Sequence, residues 1–175
     1  MNEEKVILVD KSDNYIGTMP KLEAHQKGLL HRAFSVFIFN KRNELMLQQR
    51  AFSKYHSPGL WTNTCCSHQR VDESSIEAGI RRLQEEMGFV TNLKEVTSFI
   101  YKTPFDNGLY EHEYDYILVG YYNEDPIIND EEVANWKWMK LIDVRNDINL
   151  NPQNYTVWFK IIFKKHYDLL LKSLV

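Results

Sequence analysis

The chain has 175 residues (20.8 kDa), a formal charge of −3 from 21 basic and 24 acidic side chains, and is 43% hydrophobic and 26% charged. That composition is globular rather than disordered and long enough to bury a core without disulfides; with no basic run, it argues against nucleic acid or an anionic membrane surface as a partner. The two cysteines, Cys65 and Cys66, are adjacent, which excludes a disulfide scaffold and points to a reducing compartment.

No basic and apolar leader follows Met1, and no apolar run reaches about 18 residues, so one cytoplasmic domain over residues 1–175 is expected. Val6, Ile7, Leu8 and Val9 read as a first short strand before a Ser12-Asp13-Asn14 turn. Residues 33–39, almost wholly apolar, read as a strand buried on both faces. The polar stretch 40–44 then leads to a hairpin partner at Leu45-Met46-Leu47. Ser57-Pro58-Gly59 is a turn signal, and residues 60–66 are again strand-like. A helix is predicted over 74–87: Ser74 and Glu77 form a capping box, Gly88 supplies the stop, and Ile76, Ile80, Leu83 and Met87 repeat on one face. Residues 96–101 and 110–121 read as strands around an Asp106-Asn107-Gly108 turn. A further strand is predicted at 133–139 and a second long helix at 155–171. Strands interleaved with few helices give an α+β domain.

His25 and His31 bracket the approach to the buried strand, and His68 follows Cys66 by two residues, which puts both on one face of an extended chain. Glu111, Glu113 and Asp115 share a strand face in the same way. Three carboxylates there repel one another unless a cation neutralises them or the face is solvated. Imidazole and carboxylate together form a donor set for divalent cations. Taken alone, His56, His112 and His166 read as surface or hydrogen-bonded histidines. Cys66 alone reads as a small buried apolar side chain, and Arg82 with Glu86 as a surface ion pair.

Residues 67–89 resemble the Nudix box, with Glu73, Arg81, Leu83, Glu85, Glu86 and Gly88 in register. Ser67 replaces the leading glycine, and Arg82 replaces the first glutamate of the Arg-Glu pair. In hydrolases of that superfamily the helix carboxylates hold the divalent metals; exchanging one for a cation weakens the cluster and adds a phosphate-binding charge. With Ala24-His25, residues 30–35, the run Trp61-Thr62-Asn63-Thr64-Cys65-Cys66-Ser67-His68, and Tyr110-Glu111-His112-Glu113-Tyr114, nearly the whole chain resembles the type I isopentenyl-diphosphate isomerase family.

The resemblance implies a Nudix-like α/β/α sandwich with a mixed sheet. It implies conversion of isopentenyl diphosphate to dimethylallyl diphosphate through a tertiary carbocation, in isoprenoid biosynthesis. Cys66 and Glu113 match the catalytic pair, Tyr101 the tyrosine that assists the glutamate, and Trp158 the tryptophan that covers the cation. His25, His31, His68, Glu111 and Glu113 match a metal site that would take Mn²⁺, Mg²⁺ or Zn²⁺. Glu86 and the Cys66 carbonyl would hold a Mg²⁺ that accompanies the diphosphate, gripped by Lys21, Arg50, Lys54 and Arg82. Cys65 would face away from Cys66, and Asp115, to which no role transfers, reads as a solvated acid near the strand end. The partner implied is a small isoprenoid diphosphate; the oligomeric state is not legible. The alternatives are a Nudix diphosphate hydrolase, which has no need of Cys66, and a non-catalytic diphosphate-binding Nudix module.

Overall fold

The computed structural model describes residues 4–105 and 107–174, so Asp106 of the predicted turn lies outside the described residues. The architecture is organised by strand β3 (His31–Phe39), the apolar run noted above. Its even and odd residues feed different cores, as the two-residue period of a strand requires. Phe34, Val36 and Ile38 pack with Ala78, Leu83 and Met87 of α2 (Ser75–Met87). Phe37 and Phe39 pack with Leu141 and Val144 of α3 (Leu141–Leu150) and with Trp158, Phe159 and Ile162 of α4 (Val157–Lys172). Helices thus cover both faces of the sheet, the expected α/β/α layering.

The described residues form one nine-stranded mixed sheet. Along one edge of β3 runs β8 (Tyr110–Tyr121), in parallel register from His31 opposite Glu113 to Phe39 opposite Tyr121. Along the other edge β3 meets β1 (Lys5–Val9), then β6 (Cys65–Ser67), then β4 (Glu44–Arg50), all antiparallel. β2 (Tyr15–Pro20) pairs with β1, β5 (Trp61–Thr62) and β9 (Val133–Lys140) with β4, and β7 (Leu93–Pro104) with β8. Helix α1 (Lys21–Lys27) follows β2 directly and ends on Gly28 in the left-handed region. Among the described residues no helix is long and apolar enough to cross a membrane.

The α2 capping box is present as predicted, with Ser74 Oγ accepting from the Glu77 amide and Gly88 closing the helix at φ 74°. Gly79 brings this helix against the sheet: a Cβ there would meet Leu93 Cδ1 at 2.7 Å and Leu118 Cδ1 at 2.8 Å.

Three expectations need correction. The strand over 60–66 is broken in two, because Asn63 and Thr64 turn their side chains to backbone carbonyls: Asn63 Nδ2 donates to Cys65 O (2.7 Å) and Thr64 Oγ1 to Met46 O (2.7 Å). The long C-terminal helix starts at Val157, since Tyr155 bridges to Trp61 and the Thr156 amide donates to Trp61 O (3.0 Å). Helices α1 and α3 and strand β2 were not predicted. Neither short helix has a side-chain N-cap, and β2 is a largely solvent-facing hairpin arm without an apolar alternation.

Candidate active site and metal centre

The sheet face that carries Phe37, Phe39, Ile117 and Val119 at one end changes character at the other, where the same alternation presents His31, Ser35, Glu111, Glu113 and Asp115. β6 adds Cys66 opposite Ser35 and turns Cys65 into the α2 core, so the two cysteines point to opposite sides as expected. A cavity of ≈ 80 Å³ opens over this polar end. Its walls include Phe34, Cys66, His68, Tyr101, Glu111, Glu113 and Trp158, with Lys21, Arg50, Lys54, Arg82 and Glu86.

His25, His31, His68 and Glu113 bring one donor atom each to within 4.8 Å of one another, and all four are buried. Two backbone carbonyls set the tautomers. His25 Nδ1 donates to Lys21 O (2.7 Å) and His31 Nδ1 to Leu29 O (2.8 Å), leaving both Nε2 lone pairs for the interior. His31 Nε2 has no hydrogen-bond partner and stands 3.7 Å from Glu113 Oε1; His68 Nε2 lies 3.1 Å from the same oxygen, with its Nδ1 unpartnered. Burial pushes His25 below its usual range and His68 down to about 3, so both rings are neutral and able to coordinate. Unpaired buried ring nitrogens around an ionised carboxylate fit a divalent cation. Glu111 lies outside this cluster of donor atoms, joined to it through Tyr101.

Tyr101 Oη lies 2.6 Å from Glu113 Oε2 and 2.9 Å from Glu111 Oε2. A hydroxyl has one proton to give, so both contacts require a proton on one of the two carboxyls. Burial, and then the neighbouring Glu113 charge, push Glu111 well above the carboxylate range, and Glu111 is the one that keeps it. Burial also works against the Glu113 charge, but the adjacent His31 and His68 rings, His68 with a hydrogen bond at 3.1 Å, outweigh it and hold that carboxyl well below its usual range. The Cys66 thiol is pushed far up, first by burial and then by Glu86, Glu113 and Glu111, against the opposing pull of Arg50. Cys66 is therefore a protonated thiol and Glu113 an ionised carboxylate on one cavity.

At the other end, α2 presents Arg82 and Glu86. Glu86 is 4% exposed, accepts from Gln48 Nε2 (2.8 Å) and from Arg82 Nη2, and is not part of a surface ion pair as its spacing alone suggested. The difference arises because α2 is clamped on the sheet by Gly79, which carries Glu86 inward. Lys54 pairs with Glu132, which also lies 3.2 Å from Arg82 Nη2. Arg50 stacks over the Trp158 ring at 5.3 Å.

Asp115 also departs from expectation. It is 1% exposed, accepts from Ser35 Oγ (2.8 Å), and burial followed by the Glu113 charge pushes its carboxyl well above the usual range. β8 is not an edge, since it lies between β3 and β7, and its acid-bearing face is the one that carries Ile117 and Val119 into the core with α3 and α4, so the acids turn inward. His112 keeps its simple role, its Nδ1 on Gly28 O at 2.9 Å, and His166 packs on Phe99 outside the cavity. His56, read as a surface histidine, lines the cavity instead. Gln48, Tyr55 and Glu132 are lining residues that sequence reasoning missed. Glu132 stands in the acidic run Asp130-Glu131-Glu132, and nothing local distinguishes it from its neighbours.

The comparisons agree with this geometry. Residues 29–159 match the NUDIX domain family model. The chain is 53% identical over 160 residues (91% of this chain, 90% of the relative) to isopentenyl-diphosphate Delta-isomerase 2 of Photorhabdus laumondii. It is 51% identical to isopentenyl-diphosphate Delta-isomerase of Serratia proteamaculans, covering 93% of this chain and 90% of that one. A solved structure of a MutT protein from Methanosarcina mazei shares the fold alone, with TM-score 0.66 and 17% identity over 82% of this chain and 96% of that one. The Nudix-like box altered at Arg82, the buried histidines around Glu113 and these relatives lead to one assignment: the chain belongs to the isopentenyl-diphosphate Delta-isomerase family of NUDIX-domain proteins.

Proposed function

We propose that this protein converts isopentenyl diphosphate to dimethylallyl diphosphate in isoprenoid biosynthesis, with residues 1–175 acting as one cytoplasmic domain. The observation that carries the reading is that Cys66, Glu113 and Tyr101 line one cavity together with Trp158 and the cations Lys21, Arg50, Lys54 and Arg82. An unactivated alkene must gain a proton at its terminal carbon to give a tertiary cation, and the adjacent methylene must then lose one. That exchange needs two groups in opposite protonation states, one giving while the other takes. Cys66 and Glu113 are those groups, with Tyr101 carrying the proton link from Glu113 to Glu111. Trp158 covers the cation with its ring, and the aromatic walls Phe34, Tyr101 and Trp158 limit the water that would trap it.

Lys21, Arg50, Lys54 and Arg82 receive the diphosphate. His25, His31, His68 and Glu113, with Glu111 adjacent, would hold a divalent cation, Mn²⁺, Mg²⁺ or Zn²⁺; Glu86 and the Cys66 carbonyl would hold a Mg²⁺ carried by the substrate. Such cations supply positive charge that favours the ionised form of Glu113 and neutralises phosphate oxygens. Arg82, paired with Glu86 and Glu132, puts a cation on α2 where the hydrolase box carries a metal-binding carboxylate, which favours binding a diphosphate over hydrolysing it.

The test is proton NMR of isopentenyl diphosphate in deuterated water with Mg²⁺, with Cys66→Ala as control. Deuterium-bearing dimethylallyl diphosphate, formed only by the unsubstituted protein, is expected. Release of phosphate would instead support a hydrolase, and unchanged substrate with a folded, metal-loaded protein would support a binding module.

A further inference from the structure

The loop that joins β4 to β5 delivers more than a lysine to the cavity. Three backbone bonds fix its path: the Arg50 amide donates to Leu60 O (2.9 Å), the Gly59 amide to Arg50 O (3.1 Å) and the Lys54 amide to Ala51 O (3.3 Å). Gly59 sits at φ 69° with the Phe52 ring against it, so close that a Cβ would stand 2.5 Å from Phe52 Cε1. Arg50 Nη2 then donates to the His56 carbonyl (3.2 Å), and the same guanidinium lies over Trp158. The His56 backbone and the Trp158 ring are thus tied to one anchor.

The His56 ring is held by aromatic contacts. It stacks on Phe105 (5.1 Å, 29°) and stands edge-on to Trp158 (6.0 Å, 80°) and to Tyr55 (4.6 Å, 82°). Its Nδ1 is buried and has no hydrogen-bond partner. Phe105, on which the ring stacks, is not itself a lining residue, so the imidazole is the layer between the cavity and Phe105. We propose that His56 is a specificity-determining wall of the substrate cavity, which with Trp158 sets the size of the alkyl group that fits at the branched carbon of the diphosphate. Burial and the nearby Arg50 charge push the imidazole down to about 3, so the wall is uncharged under working conditions and does not oppose the developing cation. The group that the wall reads is the substituent on the alkene carbon; the diphosphate is read by other residues. Size selection of one methylene by an apolar wall is worth roughly 10- to 200-fold.

The inference rests on the isomerase reading, and one assay separates the two. The kcat/KM of isopentenyl diphosphate and of its analogue bearing ethyl in place of methyl is measured for the unsubstituted protein, His56→Ala and His56→Phe. The ratio of analogue to natural substrate is expected to rise about tenfold or more in His56→Ala and to fall in His56→Phe. A purely structural role would lower both rates together and leave the ratio where it was. A ratio that does not follow the size of residue 56 overturns the proposal. If the alanine variant does not fold, a ratio in the phenylalanine variant level with or above that of the unsubstituted protein overturns it, and a lower one supports it. If the unsubstituted protein turns over neither compound, the isomerase reading fails. The wall is then judged on the dissociation constants of the two Mg²⁺ diphosphates across the three proteins, with the same ordering expected and the same absence of ordering refuting it.

Discussion

Removing one oxygen from Tyr101 isolates the link between Glu113 and Glu111. Tyr101→Phe keeps the ring, which stacks on Phe99 (5.6 Å), and deletes the hydroxyl that touches Glu113 at 2.6 Å and Glu111 at 2.9 Å. A hydrogen bond to a charged group contributes about 1.5–3 kcal/mol; because this hydroxyl serves two carboxyls, the upper half of that range applies. At 1.36 kcal/mol per tenfold, about 2–3 kcal/mol becomes a loss of roughly 30- to 150-fold in kcat. KM should stay within about twofold, since Tyr101 bonds none of the four cations at the diphosphate end. Steady-state conversion of isopentenyl diphosphate, with far-UV circular dichroism to confirm the fold, measures both numbers. A kcat within threefold of the unsubstituted protein, or a loss confined to KM, would refute the reasoning.

Cys66→Ala should abolish turnover and leave the fold intact, whereas Cys65→Ala, which opens a small void in the α2 core, should cost about 1–2 kcal/mol in urea unfolding and keep near-normal activity. Gly79→Ala forces a methyl onto Leu93 and Leu118 and is expected to destabilise the protein by about 1–3 kcal/mol, read as a lower Tm. Glu73→Gln loses the pair with Arg81 (2.6 and 2.8 Å), a cost of about 2 kcal/mol at pH 7. The Arg81 hydrogen bond holds the Glu73 carboxyl below its usual range, so the folded state binds that proton less readily than the unfolded chain. Its stabilisation is complete above the unfolded carboxylate pKa of about 4.3 and fades as the pH falls through the folded value. Urea midpoints of the two proteins should therefore converge as the pH falls below the unfolded carboxylate value; a gap that does not narrow on acidification would contradict the ion pair.

What could be read from the chain depended on whether the decisive interaction was local. The α2 helix was legible because its start, stop and apolar stripe lie within fifteen residues, and β3 because a stretch of seven residues with six apolar ones has few other uses. The grouping of the candidate site was legible through motifs: Cys66, His68, Glu111, Glu113 and Arg82, singled out by resemblance, all line one cavity. Spacing placed Glu111, Glu113 and Asp115 on one face, yet whether that face met water was decided by the long-range pairing of β8 with β3 and by the packing of α3 and α4 on the face they share. His56 and Glu132 carry no local signature at all. Their part in the cavity comes from a loop anchored by Arg50 and from the strand that follows Glu132, which pairs with β4.

The change of character along a single sheet face has a consequence for how the protein fails. Phe37 and Phe39 anchor the core from the same face of the same strand that carries His31 and Ser35, and Ile117 and Val119 do so beside Glu113 and Asp115. No hinge separates the proton-handling groups from the hydrophobic centre, so they belong to one cooperative unit of the native state. Heat or denaturant that frees the acids and histidines must first melt that centre. Loss of activity on heating is therefore expected to follow global unfolding, read as coincident activity and circular-dichroism transitions.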